Sequence, residues 1–395
     1  MKGILEGIRV LDLSRYLAGP FCCGILADMG AEVIRIEEVG GSVDRKLAPF
    51  APDGVPIRHY MVNRNKQVIT LDMQHPKGRE LFHRLLKKAD IFVDNLSPRA
   101  KEKLGLTYEA LSKIKPDIIV VSISAFGSYG PYSERLGFEP IAQAECGHMA
   151  HNGFPGDPPS RGAVAWCDLG TGLHSALGAV SALFHRYRTG QGQMVETSLF
   201  DTAVSIMTFP NAAARWKLLG TTADRGNVTE NYFGDIFKTT DGWVYIIVIS
   251  DQMWKRLAQV IGHPELADDP RLLTDWDRYV NRDLIYPYVT EWAQDKTMDE
   301  ASRIMEEGRV PCGRTRDTKD LVDDAHVKAR ELLVDMDVPG VGPVPHTAVA
   351  LKFSETPLTI RHIAPKAGEN NESVYGGLLD MSPDDLSQLA AEGVV

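Results

Sequence analysis

Cysteine is scarce in this chain of 395 residues. Its five cysteines, Cys22, Cys23, Cys146, Cys167 and Cys312, are odd in number and form no C-x-x-C pair. A disulfide framework and a cysteine zinc site are therefore not expected, and the thiols read as reduced, in a cytosolic protein. An excess of basic residues is also missing: 43 Lys and Arg stand against 53 Asp and Glu, a net charge of −10. That balance excludes nucleic acid or an anionic membrane surface as the main partner. A local basic pocket for a small anion remains compatible with it. No apolar run approaches the ~18 residues that a membrane span requires. The N-terminus meets Glu6 and Arg9 too early for a signal peptide. Repeats and low-complexity tracts are absent, as are G-x-x-x-x-G-K-[ST], G-x-S-x-G and H-E-x-x-H. P-loop, nucleophile-elbow and zincin chemistry are thereby excluded. His148 and His151 stand three apart with no carboxylate or cysteine at ligand spacing, so no metal site is expected.

What is present is enough apolar sequence, 44% of the chain, for one large domain or two modest ones. Through residues 1–200 β-type and helical runs alternate. Strands are expected at Ile8 to Leu13, Ala31 to Ile36, Val68 to Leu71, Ile91 to Val93, Ile118 to Ile123 and Met194 to Leu199. Helices are expected from Pro20 to Asp28, Pro76 to Ala89, Pro98 to Leu104 and Tyr108 to Ile114. Such alternation predicts βαβ units, an α/β fold on a parallel sheet. Residues 126–167 are rich in Gly, Pro and aromatics and show no period. Long irregular stretches of this kind are often functional. Leu169, Leu173, Ala176, Leu177, Val180, Leu183 and Phe184 then recur at helical spacing, with Gly190 as a stop. A smaller α+β domain is expected at 225–315. It opens with a hairpin through Asp241-Gly242 and continues with helices at 251–261, 283–295 and 297–307. Residues 316–395 read as a linker and return to the first domain, with one helix at 326–334 and otherwise extended chain.

Three places invite chemistry. The first βα turn, Ser14 to Pro20, lacks the glycines of G-x-G-x-x-G, which argues against a nicotinamide dehydrogenase. Glu37 could hold a ribose or simply end a strand in solvent. Asp168 enters the long helix within Trp166-Cys167-Asp168-Leu169-Gly170-Thr171-Gly172. It reads either as a helix N-cap or as a nucleophilic carboxylate. In the second case Gly170 and Gly172 would leave room for a ligand and Trp166 would exclude water. Cys167 is the rival nucleophile, since a helix N-terminus can lower a thiol pKa; otherwise it fills core.

Several ordered segments together resemble the class III CoA-transferases, the family of formyl-CoA transferase, carnitine CoA-transferase and the 2-methylacyl-CoA racemases. They are L-x-G-I-R-V-L-D-L-S at 5–14, A-G-P at 18–20, L-A-D-M-G-A-E-V-I-R-I-E at 26–37, N-R-N-K-Q-V-I-T-L-D at 63–72, A-D-I-F-V-D-N at 89–95, I-A-Q-A at 141–144, the Asp168 region and T-G-Q-G-Q at 189–193. The resemblance implies a Rossmann-like large domain, a small domain and an interlocked homodimer. It implies acyl-CoA and a small carboxylic acid as the molecules bound, and a covalent aspartyl intermediate on Asp168. Glu139 falls on a second acidic position, with a salt bridge to Arg135 as the alternative. CoA contacts fall on Leu17, Ala18, Leu71, Asp72, Met73, Gln74, Asn95, Leu96, Ser97 and Lys103; Lys103 would suit a phosphate or be a solvated lysine. Four departures narrow the reading. Phe138 stands where racemases carry a catalytic histidine. Leu17 replaces the glutamine of formyl-CoA transferases. The segment Gly226 to Gly234 lacks their glycine run. Glu38 replaces a basic residue, leaving Arg35, Arg45 or Lys46 for the adenine end. Arg45, Arg58 and His59 are candidates for contact with an acidic acceptor.

Overall fold

The computed structural model describes residues 3–207, 212–223, 225–228 and 231–395; Thr229 and Glu230 of the segment without a glycine run lie outside them. The chain divides into two compact units, one of residues 1–146, 162–207 and 325–395, the other of residues 147–161 and 208–324.

The first unit is built on six strands: β1 (Arg9–Asp12), β2 (Glu32–Glu37), β3 (Lys66–Thr70), β4 (Ile91–Asp94), β5 (Ile119–Ser124) and β6 (Met194–Ser198). All neighbours pair in parallel, in the order β3-β2-β1-β4-β5-β6. Parallel strands covered on both faces need continuous apolar runs, which Val-Leu, Val-Ile and Ile-Val-Val supply here. The order reverses between β1 and β4, and ligands of such sheets bind beyond the strand ends at that point. The helices α1 (Ala18–Asp28), α2 (Ile57–Asn63), α3 (Pro76–Leu86), α4 (Pro98–Leu104) and α5 (Tyr108–Ile114) lie between the strands in sequence. α1 begins two residues before Pro20, where the sequence places its start.

The aperiodic stretch contains two short helices, α6 (Glu139–Glu145) and α7 (His148–His151). At seven and four residues they are too short to display a period. The long helix is α8 (Trp166–Thr189), followed after β6 by α9 (Leu199–Ile206). Of the large apolar residues that reveal α8, Val180 and Leu183 pack half-buried against the core, but none is fully buried. Its buried residues are small: Cys167, Gly170, Thr171, Gly172, Ser175, Ala176, Ala179 and Ala182. They let α1 come close, so close that a Cβ on Gly172 would stand 2.8 Å from the Ala18 carbonyl. Leu173, Leu177 and Phe184 are left 52%, 66% and 63% exposed.

A charged network is buried under the first βα turn. Lys66 Nζ donates to Asp12 Oδ2 (2.9 Å), the Pro20 carbonyl (2.8 Å) and Asn63 Oδ1 (2.9 Å). Arg35 reaches Glu37, Asp44 and the Ser14 carbonyl. These charges are paired on every side, the condition under which burial is tolerated.

The C-terminal return differs from the extended chain that its Pro and Gly content suggests. The expected helix at 326–334 is only α16 (Ala325–Ala329), counting α10 (Ala212–Leu219) to α15 (Lys319–Val322) of the second unit described below. A left-handed Glu331 (φ 49°) ends it. Leu333–Val338 alternates with period two and pairs antiparallel with Gly342–Thr347. Two terminal helices, Asn371–Leu379 and Pro383–Ala391, follow. Val374, Tyr375, Leu379 and Leu389 join Leu11, Ile34, Ile69 and Phe82 in one core. The side chains of Asn370 and Asn371 accept the Val68 and Thr70 amides (2.8 and 2.9 Å), satisfying part of the edge strand β3.

In the second unit β7 (Phe233–Lys238), β8 (Trp243–Val248) and β9 (Cys312–Arg314) form an antiparallel sheet. The hairpin turns at Thr239–Gly242, closed by a 2.9 Å bond from the Thr239 amide to the Gly242 carbonyl. α11 (Asp251–Val260), α13 (Tyr286–Ala293) and α14 (Met298–Glu307) supply its core, with Trp254, Leu257, Val289 and Met305 buried; α12 (Asp275–Val280) carries the buried Arg278. Among the described residues no helix is long and apolar enough to cross a membrane. Nor does any group of three or more His, Cys, Asp and Glu among them fit a metal ion.

Candidate active site

Asp168 is the third residue of α8, so it is not the cap that its residue type suggests. Glu139, the first residue of α6, performs that task from outside the helix. Its carboxylate accepts the amides of Asp168 (2.6 Å) and Cys167 (3.3 Å). It also accepts Gln143 Nε2 at 2.6 Å. The neighbouring amides are used locally, Trp166 by the Val164 carbonyl and Leu169 by the Ala165 carbonyl (2.9 and 3.0 Å). A helix N-terminus is an anion site, and here a carboxylate of the protein fills it. Arg135, the alternative partner for Glu139, is paired instead with Glu145 and stacks on Phe126 and Tyr132 (4.9 and 4.5 Å).

The Asp168 carboxylate has no hydrogen-bond or ion-pair partner among the described residues. Burial, then the negative charge of Glu139, push its pKa up to about 7, against the opposing pull of Arg58. It is thus a poorly solvated carboxylate, half ionised near neutrality. Cys167 fails as the rival nucleophile. It is fully buried, and burial together with the Glu139 charge drives its thiol well above the ordinary range. The two glycines do not make room for a ligand either. A Cβ on Gly170 would meet Thr202 and Ile206 at 3.0 Å, and Gly172 faces α1, so both are packing positions.

Asp168 lines a cavity of about 240 Å³ with Tyr16, Leu17, Ala18, Asn95, Leu96, Ser97, Phe126, Phe138 and Leu199. Beside it lies a second cavity of about 210 Å³. Leu71, Asp72, Met73, Gln74 and Lys103 line the second, together with Arg15, Glu37 and Glu38. Leu96 belongs to both walls. The ten residues assigned to CoA by resemblance are therefore grouped around two adjoining hollows at the C-terminal ends of β1, β3 and β4. Asn95 stands differently from the others: both ends of its amide are occupied, Oδ1 by the Arg15 amide (2.9 Å) and Nδ2 by the Arg15 carbonyl (2.7 Å). That clamp holds the first βα turn where Tyr16 takes a left-handed conformation (φ 67°), rare for an aromatic residue. Tyr16 then meets Phe138 edge-on at 5.5 Å on the cavity wall.

Other expectations are corrected. Glu37 is neither solvated nor free for a ribose: it is buried and bound by Arg35 (2.9 Å) and Arg45 (2.6 Å). Burial alone would raise its pKa, but the two guanidinium groups hold it down at about 2. Arg35 is completely buried and cannot serve an adenine end; Arg45 is spent on Glu37 and the Pro365 carbonyl. His59 is buried against Asn63, with its pKa pushed down to about 3 by burial and then by Arg45 and Arg35, so it carries no charge for an acidic acceptor. Arg58, beside it on α2, is exposed. At the second cavity Arg15 pairs with Glu38, whereas Lys103 is exposed and has no ion-pair partner among the described residues. Gln143 was not singled out in the sequence. Its i, i+4 spacing from Glu139 was the available signal, visible only once that segment is known to be helical.

A profile of CoA-transferase family III matches residues 5–371. The chain is 34% identical to the succinyl-CoA–D-citramalate CoA-transferase of Chloroflexus aurantiacus, over 99% of this chain and 98% of that one. It is 31% identical to the formyl-CoA:oxalate CoA-transferase of Streptomyces avermitilis over all of both chains. A crystal structure of a CAIB/BAIF family protein from Brucella suis superposes with a TM-score of 0.85 at 32% identity, covering 96% of this chain and all of that one. With its six-stranded parallel sheet and its match along nearly the whole length, the chain belongs to CoA-transferase family III.

Proposed function

We propose that this enzyme moves CoA from an acyl-CoA to a free carboxylic acid, with Asp168 as the covalent relay. The observation that carries the reading is an unpartnered, poorly solvated carboxylate on the wall of the larger cavity. Desolvation strengthens a carboxylate as a nucleophile, and activated acyl groups accept it. The Asp168 oxygen attacks the thioester carbon, the C–S bond breaks, and a mixed anhydride and CoA thiolate result. The thiolate attacks the aspartyl carbon, the C–O bond breaks, and the donor acid leaves as its carboxylate. The aspartyl-CoA thioester then meets the acceptor carboxylate, and the same steps run in reverse. No proton is taken from carbon, so no acid–base pair is needed across an α-carbon. Phe138, which cannot transfer a proton, supports transfer over racemisation.

In this reading CoA lies along both hollows, with the thioester at Asp168 and the phosphates toward Lys103. Leu17, Ala18, Leu96, Ser97 and Leu71 to Gln74 line its course; Asn95 shapes the turn beneath it. The acids are read as dicarboxylic. Citramalate and oxalate, in the names of the two relatives, both carry two carboxylates. Arg58 is exposed, makes no ion pair among the described residues, and its charge acts on Asp168. It suits a second carboxylate held near the reacting one. Arg58→Met is expected to raise KM for a dicarboxylate acceptor by about 10- to 100-fold and to leave KM for a monocarboxylate within about twofold. Steady-state assays with paired acceptors such as citramalate and butyrate check this. Equal losses for both acids would remove Arg58 from the recognition.

The exposed Leu173, Leu177 and Phe184 on α8 support a homodimer in which a second copy covers them. Light scattering on the full chain should give twice the monomer mass; a monomer mass at micromolar concentration would contradict this.

A further inference from the structure

Gln143 is wholly buried, and its amide is used at both ends. Nε2 donates to Glu139 Oε1 (2.6 Å) and to the Val164 carbonyl (3.3 Å); Oε1 accepts the Gly162 amide (2.9 Å). Its three partners come from three places: its own helix one turn back, and two points on the segment that leads into α8. Glu139 in turn holds the Cys167 and Asp168 amides. The chain leaves the first unit after Cys146 and returns at Gly162, so Gln143 ties the departing helix to the returning segment within that unit.

We infer that Gln143 is a positioning residue: its amide fixes the carboxylate of Glu139 in the cap of α8, and so fixes the charge and the geometry that Asp168 experiences. The inference rests on the proposed role of Asp168 for its catalytic consequence, but not for its physical one. The reason lies in the donor count. Without Gln143 the Glu139 Oε1 would keep only the long bond to the Cys167 amide, and the carboxylate would be free to rotate about its one short bond, to Asp168. A glutamine is required because it supplies a donor toward Glu139 and an acceptor toward Gly162 at once.

The groups that face Asp168 are Glu139 from α6, Arg58 from α2 and the protonated Cys167 thiol beside it; Cys146 faces Cys167 from the end of α6. Gln143→Glu preserves shape and the acceptor toward Gly162, but turns the donor into a second carboxyl against Glu139. Three coupled acids replace two, and the added negative charge of the new carboxylate disfavours the ionised form of Asp168, so the Asp168 titration moves to higher pH. Gln143→Leu removes the polar atoms and leaves Glu139 loose.

The test follows the Asp168 carboxyl directly, by carbon-13 NMR of aspartate-labelled full-length protein, with Asp168→Asn to assign the signal; no substrate is involved. The expected result for Gln143→Glu is a titration midpoint raised by about one unit. The acid limb of CoA transfer moves by the same amount, and the rate recovers to within about threefold of wild type above that limb. Gln143→Leu should lose about 10- to 100-fold in kcat at every pH with KM for acyl-CoA unchanged. An Asp168 midpoint in Gln143→Glu equal to that of wild type would overturn the inference, whatever the catalytic rates. Failure of Asp168 to become acylated in wild type would instead overturn the relay mechanism, and the NMR shift would still decide the positioning role.

Discussion

Asp168→Asn is expected to lose CoA transfer by at least about a thousandfold and to become more stable than wild type above pH 7. The first effect follows from removing the only group on the larger cavity assigned to form a covalent intermediate. The second follows from the raised pKa. Burial and the Glu139 charge lift Asp168 from 3.8 to about 7. The folded protein therefore binds more protons than the unfolded chain between those values, and stability falls as pH rises through that window. Below about pH 4 both states hold the proton and Asp168 costs nothing; above about pH 7 the full penalty is present. Asparagine does not titrate. Its advantage should be absent near pH 4 and reach about 2–4 kcal/mol near pH 8, an upper range taken from the size of the shift. Urea denaturation of both proteins at several pH values checks it. A variant less stable than wild type at pH 8 would mean that the carboxylate is better satisfied than its surroundings indicate.

Glu139→Gln should move the acid limb of the reaction down and slow the plateau. The amide lacks the charge that raises Asp168, so the aspartate should titrate below its wild-type midpoint of about 7. The direction is fixed: losing a neighbouring negative charge favours the ionised form. The plateau falls for a different reason. Glu139 meets three N–H donors, from Gln143, Cys167 and Asp168. A glutamine there would turn its own NH₂ toward one of them, leaving a buried donor unpaired at a cost of about 1–3 kcal/mol. A kcat lower by about 10- to 100-fold is expected for a displaced α8 N-terminus. A rate profile that stays in place or moves upward would contradict the electrostatic account of the site.

Much of this was legible in the sequence, and the limits have physical causes. Buried parallel strands announce themselves as apolar runs, so β1 to β6 could be placed within a residue or two. The hairpin at Asp241-Gly242 follows from its turn residues. α8 is legible from seven residues at helical spacing, yet three of them, Leu173, Leu177 and Phe184, are exposed in the single chain and the helix buries mostly alanine, glycine and serine. Helical period shows that a helix exists; it does not reveal which neighbour comes close enough to demand small residues. For the same reason Gly170 and Gly172 looked like open space beside Asp168, although they are contact points with α9 and α1. The terminal helices were missed because their cores are borrowed from β3 and α3, far away in sequence. Asp168 is legible at the helix entry as a cap or a nucleophile, but the choice between them, and Glu139 altogether, rest on resemblance. The bond from the Asp168 amide to Glu139 spans 29 positions, and no local pattern carries such a pairing. Arg35 illustrates the opposite error: a basic residue near a strand end reads as a candidate for the adenine end, but it is sealed among Glu37, Asp44 and Asp12.

The central claim is that the Asp168 carboxylate forms covalent bonds during transfer. Its most direct test is mass spectrometry of the protein incubated with succinyl-CoA and with other acyl-CoAs, quenched with hydroxylamine or borohydride and digested. A hydroxamate or a homoserine is expected at position 168, absent from Asp168→Asn and diminished when an acceptor acid is added before the quench. Turnover of an acyl-CoA to a new thioester, with residue 168 unmodified under every quench, would contradict it.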